Sequence, residues 1–269
     1  FIRPNAEPKG RFSIRLRVNT GSLNETDDIQ GISHFLEHMV FNGSTHFKRG
    51  EMIPAMQKEG LGLGGDANAY TAFDETVYMM DVPSMKESTV DLAFTIMRDF
   101  ADGALLEESA IDAERGIITS EYKVRDSAGY RVMKEVFSIM LDGTRIPDRY
   151  PIGTLEVIRT APREKFINYY RTHYVPSQMQ LVIAGDITPE ATAPFLDVQM
   201  DGIAQQIRQH GLVQTPLASL SRGLVGITHR GKGGILIVNA PGSRGGVKDS
   251  LAVVCPLLPH IFEQLEDHG

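Results

Sequence analysis

The sequence predicts an α+β fold: an antiparallel-rich sheet packed with helices, followed by a partial α/β segment. Three observations predict it. Residues 11–19 alternate, with Phe12, Ile14, Leu16 and Val18 on one face and Ser13, Arg15, Arg17 and Asn19 on the other, the period of a half-buried strand. Residues 67–73 and 76–82 are aromatic or β-branched at many positions and are separated only by Asp74 and Glu75, which reads as two paired strands joined by a turn. Leu92, Ala93, Ile96, Met97 and Phe100 recur at helical spacing and mark a core helix over 90–100.

The remaining elements follow in chain order. Phe1-Ile2-Arg3-Pro4 reads as the middle of a first strand, and Gly21 and Ser22 end the second. Asp27 and Asp28 stand where helix starts favour acidic and capping residues, ahead of a helix over 31–40 that Asn42-Gly43 closes. A short helix over 52–60 leads into the glycine run 60–65. That run lacks the preceding strand and following helix of a dinucleotide fingerprint, so it reads as a flexible connection. Asp102-Gly103 separates the core helix from a helix over 107–121, and helices over 131–141 and 164–173 and a strand over 180–184 come next. The tail reads as helix, loop, strand (235–238), turn and helix.

Composition narrows the function classes. A length of 269 residues with 42% hydrophobic content suffices for one large packed domain or two small ones. The net charge of −7 argues against a nucleic-acid partner held by bulk electrostatics. No run reaches the ~18 to 20 apolar residues of a membrane span, so none is expected. The single cysteine, Cys255, allows no internal disulfide and, within the apolar run 251–258, reads as core filler. The chain begins at Phe1 and reads as truncated with no signal peptide visible, which leaves bacterial periplasm and cytoplasm both open.

The chemistry concentrates at His34-Phe35-Leu36-Glu37-His38. Residues three and four apart share a helix face, so two imidazoles and a carboxylate converge there. Zinc fits best: it accepts neutral imidazole nitrogens, and a catalytic site takes three protein ligands and leaves a fourth position for water. His34 and His38 are the first two candidate ligands. Glu37 lies too near the backbone turn to ligate comfortably but well placed to take a proton from water. The order H-x-x-E-H inverts the commoner H-E-x-x-H and is the signature of the inverted zinc peptidases. A distant carboxylate should complete the set, and the 107–121 helix supplies two on one face, Glu114 and Glu121.

Further runs extend the pattern: Gly21-Ser22-Leu23-Asn24-Glu25, Phe41-Asn42-Gly43-Ser44, Asp66-Ala67-Asn68-Ala69-Tyr70-Thr71, Asp74-Glu75-Thr76-Val77-Tyr78 and Glu114-Arg115-Gly116. With them, residues 1–185 resemble the N-terminal half-domain of the insulinase-like (pitrilysin, M16) zinc metallopeptidases. The resemblance implies Zn2+ as cofactor, Glu121 as its third ligand and Glu114 assisting from behind the metal. It also implies that a peptide or small protein substrate adds as a strand to the sheet edge at Asn68 and Ala69, and that a second homologous half-domain is a partner. The expected function is a zinc-dependent metalloendopeptidase hydrolysing extended peptides. The alternative is a zinc-binding fragment that is non-catalytic or depends on a partner chain.

Residues 186–269 resemble a different family, the C-terminal part of the MogA/MoaB molybdopterin-binding proteins. Asp186-Ile187-Thr188-Pro189-Glu190, Asn239-Ala240-Pro241-Gly242-Ser243 and Leu257-Leu258-Pro259-His260 carry this resemblance. It implies a molybdopterin-binding module, and the tail's own basic residues Arg222, Arg230, Lys232, Arg244 and Lys248 are the candidate phosphate contacts. The site is expected to be incomplete, since that family's glycine-rich segment is missing. The expected domains are therefore 1–185, zinc metallopeptidase-like, and 186–269, partial molybdopterin-binding-like.

Overall fold

The computed structural model describes residues 2–4, 8–186, 196–220, 223–227, 236–240 and 244–267. Helix and sheet are mixed, in agreement with the α+β class. In chain order the strands and α-helices are β1 (Ile2–Pro4), β2 (Phe12–Val18), α1 (Ile32–Met39), α2 (Met52–Lys58), β3 (Ala67–Thr71), β4 (Thr76–Val82), α3 (Glu87–Arg98), α4 (Glu108–Arg125) and α5 (Ala128–Met140). After these come α6 (Leu155–Thr160), α7 (Arg163–His173), β5 (Met179–Gly185), β6 (Val198–Gln199), α8 (Asp201–Leu212), β7 (Val225–Ile227), β8 (Leu236–Val238), α9 (Arg244–Val254) and α10 (Leu258–Asp267). One sheet runs in the order β1-β5-β2-β4-β3, which leaves β3 at an edge, and a second runs β6-β7-β8.

The described residues form two compact units, one drawn from Phe1–Leu16, Met80–Val90 and Gln180–Gly269, the other from Arg17–Met79 and Asp91–Met179. In the first unit β1 lies parallel to β5, with Ile2 opposite Ile183, while β6, β7 and β8 pair antiparallel. Ala204, Ile207, Val225, Val238 and Val254 form its small tail core, and His210 Nδ1 pairs with Asp249 Oδ1 at 3.0 Å to tie α8 to α9. Cys255 is exposed rather than core filler. It opens the single 3-10 turn Cys255–Leu257 between α9 and α10, and the buried residue of that run is its neighbour Val254. The side chains of Arg222, Arg230, Lys232 and Arg244 lie outside the described residues, and Lys248 is exposed on α9.

The second unit is organised around α1. Seven of its eight residues are buried, because α4, α6, α7 and β3 all pack against it. Phe35 meets Phe166 edge-on at 4.8 Å, and Phe41 and Tyr78 close on Phe100 at 4.7 and 4.8 Å. Arg115 of α4 donates to the Ile158 and Ala161 carbonyls, both at 2.8 Å, and so anchors α4 to the C-terminal end of α6. The core helix α3 ends at Arg98, earlier than its apolar spacing predicts, and passes into a π-helical turn, Asp99–Gly103. Asp99 is 1% exposed there and accepts hydrogen bonds from Ser44 Oγ and the His46 backbone N–H, so tertiary contacts account for the change of pitch.

The N-terminus of α1 corrects a second expectation. Asp27 and Asp28 belong to a separate 3-10 turn, Asp27–Ile29, and the carboxylate that caps α1 is Glu25. Its Oε2 accepts from Gly31 N–H at 2.8 Å and its Oε1 from Ser33 N–H at 2.7 Å. Glu25 has no exposed surface, and burial pushes its carboxyl from the ordinary 4.5 up to about 7 against the pull of those hydrogen bonds and of Arg149. A carboxyl that binds its proton more tightly when folded stabilises the fold at low pH and loses that contribution as pH rises from about 4.5 through 7. The wild-type protein should therefore lose on the order of 3 kcal/mol relative to Glu25→Gln between pH 4.5 and 7.5. Urea unfolding of both proteins across this range measures the difference, and parallel curves would refute the assignment.

Close backbone contact locates the same end of α1. Gly153 has φ +71°, and a Cβ there would stand 2.2 Å from the Gln30 carbonyl oxygen. Gly153→Ala combines a left-handed backbone with a steric overlap, so it should destabilise by about 3 kcal/mol or more, visible as a lower Tm. An unchanged Tm would show that the two segments are not in contact.

Candidate metal centre

The centre is built from two helices of the second unit. On α1, the i, i+4 spacing stacks His34 and His38 on one face, with ring centroids 4.9 Å apart. On α4, Glu114 and Glu121 face that pair two turns apart. His34 Nε2 lies 3.5 Å from Glu121 Oε1, and His38 Nε2 lies 3.5 Å from Glu121 Oε2. One donor atom from each of His34, His38 and Glu121 falls within 4.8 Å of the others, the only such group of three metal-binding side chains among the described residues. Zinc holds tetrahedral donors at about 2.0 to 2.2 Å, which separates them by roughly 3.3 to 3.6 Å. The two-imidazole, one-carboxylate set fits that ion.

Glu114 takes a different position. Its Oε1 pairs with His38 Nδ1 at 3.0 Å, on the side of the ring away from Glu121, and its Oε2 accepts from Asn42 Nδ2 at 3.0 Å. A carboxylate on Nδ1 keeps the proton there and leaves the Nε2 lone pair free for a cation. His34 is 5% exposed, and its Nδ1 has no hydrogen-bond partner among the described residues. Its one polar contact is therefore through Nε2, towards Glu121.

Glu37 points into the same region. It is 8% exposed, and its Oε2 accepts from Thr71 Oγ1 at 2.6 Å. Thr71 belongs to the edge strand β3, so the carboxylate is tied to the sheet margin. Asn68 and Ala69 also lie on β3, Asn68 exposed and Ala69 half-buried, and Asn68 Oδ1 accepts from the Ala69 backbone N–H at 2.9 Å. That N–H therefore has a side-chain acceptor on its own strand.

The local charges are unbalanced towards the negative. The His34 hydrogen bond, reinforced by Arg125 against the cost of burial, pulls Glu121 from its ordinary 4.5 down to about 2. Burial pushes His38 down, but the Glu114 hydrogen bond and the charges of Glu37, Glu114 and Glu121 outweigh it, so the imidazole ends above its ordinary value. Arg125 donates to Glu121 Oε1 from Nε at 2.9 Å and Nη2 at 2.6 Å, which leaves Oε2 the freer oxygen.

All five predicted metal-centre residues come together, and Asn68 and Ala69 sit on the sheet edge. Sequence reasoning missed Thr71, Asn42 as a side-chain donor, and Arg125. Arg125 is the one with a local signal, since it stands four residues after Glu121 on a continuous helix.

The family described as Insulinase (Peptidase family M16) matches residues 1–147, and the one described as Peptidase M16 inactive domain matches residues 160–252. The "Probable zinc protease PqqL" of Escherichia coli is 35% identical over 198 residues, which are 73% of this chain and 21% of that protein. The crystal structure of the periplasmic protease PqqL from Escherichia coli aligns with TM-score 0.68 and 34% identity over 70% of this chain and 21% of that one. A mutant of the ferredoxin protease FusC in complex with Arabidopsis ferredoxin aligns with TM-score 0.63 and 35% identity over 68% and 20%. The chain spans about a fifth of the length of each of these three.

These matches correct the reading of the tail. The resemblance of 186–269 to the MogA/MoaB family finds no support, because the second peptidase model extends through residue 252. The runs that suggested it, such as Thr188-Pro189-Glu190 and Ala240-Pro241-Gly242-Ser243, are short and have the Pro, Gly, Ser and Thr composition that is generally favoured at turns and helix starts, so they carry little family information. The pterin-binding module is withdrawn with it.

Proposed function

The chain belongs to the insulinase family of peptidases, M16, and on that premise we propose that it is the catalytic half of a zinc metalloendopeptidase that hydrolyses extended peptides. The observation that carries this is the convergence of His34 Nε2, His38 Nε2 and the Glu121 carboxylate beside Glu37. His34, His38 and Glu121 would hold the zinc, which when bound supplies Lewis-acid charge and makes hydroxide accessible near neutral pH.

The protein's own groups account for the rest. Thr71 holds Glu37 Oε2, so Oε1 is the oxygen free to accept a proton from water. As the water oxygen bonds to the peptide carbonyl carbon and the C–N bond breaks, Glu37 returns that proton to the leaving nitrogen. Glu114 keeps His38 in the Nδ1-protonated tautomer throughout. Substrate would align by adding a strand to β3, exchanging the Asn68 side chain for its own carbonyl on the Ala69 N–H. Asn68 would then be released to hold the peptide.

Because the chain spans about a fifth of the length of PqqL, a second reading stands beside the first: a zinc-binding fragment that is non-catalytic alone and cleaves only with a second homologous half-domain. Incubating the zinc-loaded chain with an internally quenched peptide, alone and with such a half-domain, separates the two. Cleavage by the chain alone supports the first reading. Cleavage only with the partner supports the second, and none in either case leaves a zinc-binding protein without peptidase activity.

A further inference from the structure

We propose that Asn42 is a positioning residue of the metal centre, holding the Glu114 carboxylate in the one orientation that presents His38 Nε2 to the metal. The proposal rests on the reading of His34, His38 and Glu121 as zinc ligands. Asn42 lies just beyond α1, where its backbone N–H donates to the Met39 carbonyl at 2.9 Å and the turn folds its side chain back over the last helical residues. Its single Nδ2 group meets two acceptors, the His38 carbonyl at 3.3 Å and Glu114 Oε2 at 3.0 Å. An amide nitrogen carries two hydrogens, one for each. The reverse amide orientation would set an oxygen against a carboxylate and a carbonyl, so the assignment of nitrogen follows from the chemistry of the neighbours.

The contacts close a ring. His38 Nδ1 binds one oxygen of Glu114, Asn42 binds the other, and the same Asn42 amide binds the backbone of His38. Glu114 is 6% exposed, and a buried carboxylate needs donors on its oxygens to remain charged and fixed. With both oxygens held, the carboxylate plane is set, and with it the rotation of the His38 ring. Without Asn42, the carboxylate keeps only its contact with the imidazole and can pivot about it. The competing account is that Asn42 merely closes the helix through the His38 carbonyl. That role would be independent of Glu114.

A double-mutant cycle on zinc affinity separates the two. Asn42→Leu keeps the branched skeleton and removes the donor, and Asn42→Ala provides the same comparison should the bulkier leucine not be accommodated. Zinc Kd is measured by chelator competition on the purified full chain, with urea unfolding of the metal-free proteins alongside. We expect Asn42→Leu to weaken zinc by ~10- to 100-fold, Glu114→Ala to weaken it similarly, and the double variant to match Glu114→Ala alone. An unchanged Kd in Asn42→Leu overturns the proposal. So does an equal further loss on the Glu114→Ala background, which would assign Asn42 to helix closure. If the parent chain itself binds no zinc, the zinc reading fails and this inference falls with it, an outcome distinct from a parent that binds and a variant that binds equally well.

Discussion

Glu37→Gln is expected to retain zinc and to lower peptide cleavage by ~10²- to 10⁴-fold, in the chain alone or in its complex with a second half-domain. The amide keeps the shape of the carboxylate and, through its oxygen, the hydrogen bond from Thr71 Oγ1. It cannot take a proton from water, and this one property distinguishes the general-base role from a packing role. Position supports the same division of labour: Glu37 is on the α1 face that carries the two histidines, yet Thr71, rather than either imidazole, is its hydrogen-bond partner in the structure. Cleavage by Glu37→Gln at the parent rate would place the activity elsewhere.

The second large effect is on metal binding. His34→Ala and His38→Ala should each lower zinc affinity by more than the ~10- to 100-fold that loss of an outer partner costs, because each removes a donor atom outright. The loss should also be visible as stability. A metal that binds only the folded chain adds about 2.7 kcal/mol at one hundred times its Kd, so zinc should raise the parent's Tm and leave the histidine variants unmoved. Chelator should lower the parent towards the variants. A zinc-dependent Tm in both histidine variants would mean that the ion sits at another place.

What was legible in the sequence was local. His34, Glu37 and His38 are three and four residues apart on one helix, so the helical period alone places them together. Glu114 and Glu121 share a face for the same reason, and periodicity could not rank them as ligands. Three-dimensional packing separates them: α4 crosses α1 so that Glu121 meets the Nε2 edges of the imidazoles and Glu114 the Nδ1 edge of His38. Thr71 and Asn42 were beyond reach because their partners lie 34 and 72 residues away in sequence. The cap of α1 was misplaced for a similar reason. Asp27 and Asp28 have the right chemistry next to the helix, but the chain turns there and brings the more distant Glu25 to the free N–H groups. The strands of the five-stranded sheet, β8 and most helices are legible within a residue or a turn, since alternation and helical spacing report burial of one face, whereas the two- and three-residue strands β6 and β7 are too short to carry a period. That rule has a visible exception in α5, whose Val132, Ile139 and Met140 are 63%, 78% and 74% exposed although they have the spacing of a buried stripe.

One zinc titration tests the central claim most directly. The purified chain, stripped with chelator and titrated with zinc, should bind one ion per molecule. Glu121→Gln should lose affinity as severely as the histidine variants, while Glu114→Gln should keep the stoichiometry with the smaller loss expected of an orienting group. Undiminished one-to-one zinc binding by Glu121→Gln would contradict the account, because it would remove the carboxylate of α4 that joins the two histidines into a metal centre.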